Sequence, residues 1–97
     1  MGKPDVIFSV ETHSSSGQNG WGIAIIQIPE GYTSIDVTLS QGSGAVYGYK
    51  DNSGSPYGDN LGGITTVQST FYIAGYQRVG VRADGNNNGG ATARLYG

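Results

Sequence analysis

Apolar residues alternate with polar ones along much of this chain, and short runs of Gly, Asn, Asp or Pro interrupt the alternation at short intervals. The clearest example is residues 33–40, where every second position is apolar: Ile35, Val37 and Leu39. Because a strand places successive side chains on opposite faces, this spacing predicts a strand with one buried face. No segment has the periodicity of a helix, so the sequence predicts an all-β protein.

Further strands are predicted wherever similar runs occur between turn-forming residues. They are Val6–Glu11, Trp21–Ile28, Ala45–Lys50, Ile64–Ala74, Gln77–Ala83 and Ala91–Tyr96. Together with residues 33–40 these give about seven strands in 97 residues. So many short strands favour a small antiparallel β-sandwich or jelly roll over an open sheet. The length fits one domain, residues 1–97, with a single core.

The strand Trp21–Ile28 differs from the others because it is apolar on both faces. Two-sided burial explains such a pattern, so this strand is expected either in the centre of the fold or covered by another subunit.

The last two predicted strands favour a hairpin, since only a Gly- and Asn-rich segment separates them. If Ala83 pairs with Ala91, one face of the hairpin is apolar. The other face then carries a cationic patch of Arg78, Arg82 and Arg94 beside Tyr96. Arginines this close repel one another, and three arrangements would reduce that repulsion. They are an anionic ligand, a subunit interface with acids such as Asp36 and Glu11, or exposure of the arginines to solvent.

Composition narrows the classes of function. Charged residues make up 12% of the chain and the net charge is −2, which argues against nucleic-acid binding. No apolar run is long enough for membrane insertion or for a signal peptide, so a soluble protein is expected. An extracellular or virion-surface location would need a route without a signal peptide. The chain has no cysteine, which excludes disulfides and thiolate metal sites.

One loop-forming segment, residues 49–60, combines oxygen-bearing and aromatic side chains. Calcium binds hard oxygen ligands, and sugar sites combine aromatic faces with a few polar groups, although the same residue types also form ordinary turns. The candidate ligand-binding residues are Tyr49, Asp51, Asn52, Tyr57, Asp59 and Asn60.

The segment from Tyr49 to Val67, with its Tyr-Lys-Asp and Tyr-Gly-Asp-Asn runs, resembles the calcium loop of the PA-IL-type galactophilic bacterial lectins. That resemblance implies a calcium ion that also binds sugar hydroxyls, held by Asp51, Ser55, Asp59 and Asn60, with the Asn52 carbonyl as a further ligand. The loop here is one residue longer, and Ser55 and Asp59 stand where that family has Thr and Asn.

Catalysis is not predicted. His13 is the single histidine, and neither a G-x-S-x-G nucleophile elbow nor a two-histidine metal motif occurs.

Two kinds of function remain. The first is a lectin-like module that binds cell-surface glycans, with calcium as a possible cofactor. The second is a structural subunit of a larger assembly, such as a phage head-fibre, decoration or tail-tip protein. Both favour a homo-oligomer over a monomer.

Overall fold

The computed structural model describes residues 4–11, 20–50, 58–85 and 90–97. These residues form eight strands and no helix. The strands are β1 (Val6–Glu11), β2 (Gly20–Gln27), β3 (Ser34–Leu39), β4 (Ser43–Tyr49), β5 (Asp59–Ile64), β6 (Ser69–Tyr72), β7 (Arg78–Gly85) and β8 (Gly90–Tyr96). No helix in this part of the chain could cross a membrane.

The strands form two four-stranded antiparallel sheets. Sheet A has the order β1-β8-β3-β6, and sheet B has the order β2-β7-β4-β5. Consecutive strands lie in opposite sheets except for β4 and β5, which are neighbours in sheet B. The predicted all-β sandwich is therefore confirmed, and its strand order is that of a jelly roll.

The described residues form one strand more than the approximate number predicted, because residues 59–63, which lie outside every predicted strand, form most of β5, and the predicted strand Ile64–Ala74 is shortened to β6. Ile64 ends β5 in sheet B, whereas Ser69 begins β6 in sheet A. Val67, which belongs to that predicted strand, lies in the connection between them and is 73% exposed.

The core lies between the two sheets, and the period-two pattern predicted its contents well. In sheet A, Ile35, Val37, Leu39 and Leu95 are almost fully buried, as are Val46, Val79 and Val81 of sheet B. Val6 and Phe8 pack against this cluster from β1. The apolar residues of these strands occupy alternate positions and point between the sheets, as expected for a sandwich.

The predicted hairpin between the last two strands is wrong. Strand β7 pairs with β2 and β4, whereas β8 pairs with β1 and β3 in the opposite sheet. The apolar residues assigned to the hairpin do point inward, but they face each other across the core. The apolar face of each strand would be buried both in a hairpin and in two opposite sheets. The choice between these arrangements depends on pairing with strands that are distant in the sequence.

The two-sided apolar strand β2 is not central. It lies at the edge of sheet B, with β7 as its one strand partner in the described chain. Gly22, Ala24 and Ile26 belong to its inner side, since they pair with the buried residues of β7. On its outer side Ile23 is 37% exposed.

Candidate functional site

The outer face of sheet B gathers most of the described polar and aromatic candidates. Alternation along β4 and β7 turns Val46, Val79 and Val81 into the core and the residues between them outward. The outer face is formed by Ile23, Ile25, Ala45, Tyr47, Tyr49, Asn60, Gly63, Arg78, Gly80 and Arg82. Its centre is therefore aromatic, with the polar residues Asn60, Arg78 and Arg82 around it and the apolar residues Ile23 and Ile25 at the β2 edge.

A β-bulge places Asn60 beside Tyr47. In the register at the start of β4, Val46 pairs with Gly62, and continuing that register would bring Leu61 opposite Tyr47. The register shifts between Val46 and Tyr47, so Asn60 becomes the partner of Tyr47 and Leu61 packs against the core. Bulges commonly re-aim a side chain in this way. Here the bulge exchanges an apolar neighbour of Tyr47 for an amide.

Gly62 accommodates this bulge. Its φ of 152° lies in a region that other residues rarely adopt. A Cβ atom at this position would come within 2.7 Å of Cε1 of Phe71. Both the backbone conformation and the packing therefore require glycine.

Tyr47 is half-buried on this face, and Arg82 lies beside it on β7. Arg82 donates a hydrogen bond from Nε to Oδ1 of Asp84 at 2.8 Å. The hydrogen bond and charge of Asp84 raise the pKa of Arg82, with a smaller contribution from Tyr47. The guanidinium is thus a fixed cation next to an accessible aromatic ring.

Tyr49 has a supporting position instead of the predicted ligand-facing one. It is 3% exposed, and its ring lies against Gly80 and Gly58, where a Cβ atom would approach it to 3.0 Å and 2.8 Å. The guanidinium carbon of Arg78 lies 4.7 Å from the ring centroid. Burial raises the pKa of Tyr49, partly offset by the charge of Arg78. Because the protein itself covers this ring, Tyr47 is the tyrosine of β4 that can contact a ligand.

Asp59 forms a small polar cluster at the start of β5. The hydroxyl of Tyr76 donates to its Oδ2 at 3.2 Å, and Nζ of Lys50 lies 3.9 Å from the same oxygen. The Tyr76 ring packs where a Cβ of residue 48 would lie, which makes Gly48 necessary there. Desolvation, followed by the hydrogen bond and charge of Asp59, raises the pKa of Tyr76. The Asp59 side chain remains 58% exposed and accessible to a ligand.

Part of the predicted calcium and sugar loop lies outside the described residues: Asp51, Asn52, Ser55 and Tyr57. The two described calcium-ligand candidates, Asp59 and Asn60, are consecutive in β5, and consecutive strand residues point to opposite faces. Within the described ranges no three His, Cys, Asp or Glu side chains cluster as metal ligands. The strand pairing therefore assigns Asn60 to the Tyr47 side and Asp59 to the Tyr76 side.

The predicted cationic patch is not a single surface. Arg78 and Arg82 lie on the outer face of sheet B, whereas Arg94 and Tyr96 lie on the outer face of sheet A. This correction follows directly from the separation of β7 and β8. The repulsion expected among three neighbouring arginines does not arise.

On sheet A, Arg94 belongs to a polar cluster that the sequence did not reveal. Its Nη2 donates to Oδ2 of Asp36 at 2.6 Å, while Thr70 and Tyr96 donate to Oδ1 at 2.7 and 2.9 Å. Burial raises the pKa of Asp36, but these hydrogen bonds and the charge of Arg94 outweigh it and lower the net pKa. Asp36 was one of the acids named for a subunit interface, which was one of three alternatives for the arginines. It instead binds Arg94 of its own chain.

A concave surface lies at one end of sheet A. This open depression of about 360 Å³ is lined partly by hydroxyl groups of Ser9, Thr38, Ser40 and Thr92. The lining residues in the described part of the chain include no aromatic side chain. It therefore lacks the stacking surface that Tyr47 supplies on sheet B.

Comparison with models of protein families, with curated proteins and with solved structures found no match to this chain.

Proposed function

We propose that this protein is a non-enzymatic binding module for carbohydrate, and that cell-surface glycans are its ligands. The observation that carries the proposal is the pairing of Tyr47 with Asn60 on the outer face of sheet B, next to Arg82. A half-buried aromatic ring beside an amide and a fixed guanidinium combines stacking with directed hydrogen bonding.

Each group matches one part of a sugar. The C–H face of a pyranose ring packs on the Tyr47 ring and loses apolar contact with water. The Asn60 amide both donates and accepts, so it can bind two adjacent hydroxyls, while Arg82 donates to hydroxyl or carboxylate oxygens. Tyr49 of β4 packs on Gly80 of β7 and so supports the two strands that carry Tyr47 and Arg82.

We further propose that calcium assists sugar binding. Asp59, whose carboxylate is largely exposed, is the charged candidate that the structure describes, and Asp51 and Ser55 are the other proposed side-chain ligands. The side chain of Asn60 lies on the opposite face of β5, so Asn60 would bind the same ion only through its backbone carbonyl. A site with few charged ligands binds calcium weakly, so millimolar concentrations are the relevant range.

An immobilised-glycan array tests the function directly, with the protein applied once in calcium and once in EDTA. Binding to a defined set of glycans supports the proposal, and its loss in EDTA supports the calcium site. The double variant Asp51→Ala with Asp59→Ala should fold and should lose the calcium-dependent part. If glycan binding is unchanged both in EDTA and in this variant, the loop is not part of the binding site, and the Tyr47 surface remains the candidate.

A structural subunit of a larger assembly, such as a phage head-fibre, decoration or tail-tip protein, is the second candidate. The observation that favours it is the position of β2, whose apolar outer side lies at a sheet edge. Jelly rolls occur in lectins and in viral capsids alike, so the fold supports both candidates equally. A protein that binds no glycan on the array and forms a large, stable oligomer would favour the structural subunit.

A further inference from the structure

Strand β2 is an unusual edge strand. Its sequence, Gly-Trp-Gly-Ile-Ala-Ile-Ile-Gln, contains no charged residue and no proline over eight residues. Edge strands normally carry lysine, proline, a bulge or an inward charge, since an unprotected edge pairs with other chains. None of these devices occurs in β2.

The other three edges are each protected. Strand β5 contains the bulge next to Gly62 and begins with Asp59. Strand β6 has only four residues. The sequence of β1 ends with a charged residue, Glu11, and Pro4 and Asp5 come just before the strand. Among the described edge strands, β2 is therefore the one without such protection.

The backbone direction along β2 indicates which groups face this edge. The N–H of Ile28, just beyond the strand, donates to the carbonyl of Gln77 in the β7 direction at 2.8 Å. Backbone groups alternate in direction along an antiparallel strand. The N–H and C=O groups of Ile23, Ile25 and Gln27 therefore point away from β7. Their side chains belong to the outer face of the same sheet.

We propose that a second copy of this chain binds here, with the two β2 strands antiparallel about a two-fold axis. Ala24 faces Ala24 of the second copy, and Ile23 faces Ile25 of the second copy. This register forms about eight backbone hydrogen bonds and joins the outer isoleucines of both copies into one apolar strip. A two-fold contact needs only one self-complementary edge, which β2 provides.

Charge weakly favours this register over its two nearest alternatives. On β7, Asp84 pairs with Trp21, Arg82 with Ile23, and Arg78 with Gln27. In the Ala24-centred register, Asp84 lies in the same cross-strand row as Arg78 of the second copy, about 14 Å away by strand spacing. Centring on Ile23 or Ile25 instead aligns arginines from the two copies. At this distance the preference is small but consistent in sign.

The pairing produces one continuous sheet from two copies of sheet B. Because the two-fold axis is perpendicular to that sheet, both outer faces remain on the same side and stay accessible. The dimer would thus present two copies of the Tyr47 surface toward one target. The inference does not depend on sugar binding, since the contact and the surface involve different groups.

Native mass, measured by light scattering over a range of concentrations, tests the dimer. The protein should reach twice its 10.1 kDa chain mass, and Ile23→Lys should return it to the monomer mass. The matched control is Ile7→Lys on edge strand β1, where the side chain is 69% exposed and the dimer should persist. A monomer at every concentration, or a dimer that persists in Ile23→Lys, would overturn the proposal.

The register has its own test because the chain contains no cysteine. In an Ala24→Cys variant the two introduced thiols would face each other with Cα atoms about 4.5 Å apart, which suits a disulfide. Mild oxidation should therefore cross-link it, whereas Gln27→Cys should stay uncross-linked because its thiols would lie about 20 Å apart along the strands. Cross-linking of Gln27→Cys but not of Ala24→Cys would contradict the register, even if either lysine variant failed to fold.

Discussion

Tyr47 of β4 and Asn60 of β5 are cross-strand partners because a β-bulge moves Leu61 out of register and into the core. One inserted residue thereby gives the aromatic ring a polar neighbour and adds an apolar side chain to the interior. The bulge is thus part of the proposed binding surface as well as of the fold.

The bulge depends on Gly62, so Gly62→Ala should destabilise the protein by about 1–3 kcal/mol. The added Cβ would meet Phe71, and the backbone would be strained at a φ of 152°. The matched control is Gly63→Ala, whose Cβ meets only the Gly44 carbonyl at an ordinary 3.7 Å. Its stability should change by less than about 0.5 kcal/mol. Urea unfolding of both variants measures the difference, and equal effects would contradict the role of the bulge.

The Asp36 cluster predicts an acid-sensitive contribution to stability. Because the pKa of Asp36 is lowered on folding, its contribution is complete above an unfolded pKa of about 3.9 and is lost as pH falls through the folded value. Asp36→Asn should cost about 1–3 kcal/mol at neutral pH and should reduce the loss of stability below pH 4. Urea unfolding at a series of pH values tests this.

The control for that experiment is Asp5→Asn, which removes only the exposed 3.4 Å contact with Arg94. Exposed ion pairs contribute little, so the cost should stay below about 0.5 kcal/mol. If Asp36→Asn retained the full acid sensitivity of the parent, the hydrogen bonds to its carboxylate would not be its source.

Calcium should stabilise the protein if the proposed site exists. At ten times the dissociation constant, binding adds about 1.4 kcal/mol, which raises the melting temperature of a domain this size by about 6–11 °C. Asp59→Ala should abolish this rise. Asp5→Ala, which removes the same charge from the other sheet, should preserve it. A melting temperature indifferent to calcium would exclude the metal but not the Tyr47 surface.

The sequence predicted local features of this fold better than its pairings. Alternation correctly identified the buried side of β3, since the direction of a side chain depends on its own strand. The β7–β8 hairpin was wrong because sequence proximity favours it, while the true partners of β7 come from residues 20–27 and 43–49. The same error placed Arg94 on one surface with Arg78 and Arg82, which lie in the opposite sheet.

The candidate site was only partly predictable for the same reason. The aromatic and polar residue types at 47–60 were visible, but the neighbour of Tyr47 depends on a register shift. The pair Gly62-Gly63 within a strand was the one available signal of a bulge. Alternation places Asp36 on the outward side of its strand, but it does not identify the partners of its carboxylate, because Thr70, Arg94 and Tyr96 come from two other strands.

Binding of the parent protein, Tyr47→Ala and Tyr72→Ala to the same glycan array tests the proposed function most directly. Tyr72 is 72% exposed on the outer face of sheet A, so it controls for the loss of a surface tyrosine. The parent and Tyr72→Ala should bind the same glycans, and Tyr47→Ala should bind them at least about tenfold more weakly through the loss of stacking. No glycan binding by the parent, or equal binding by Tyr47→Ala, would contradict a sugar site on the outer face of sheet B.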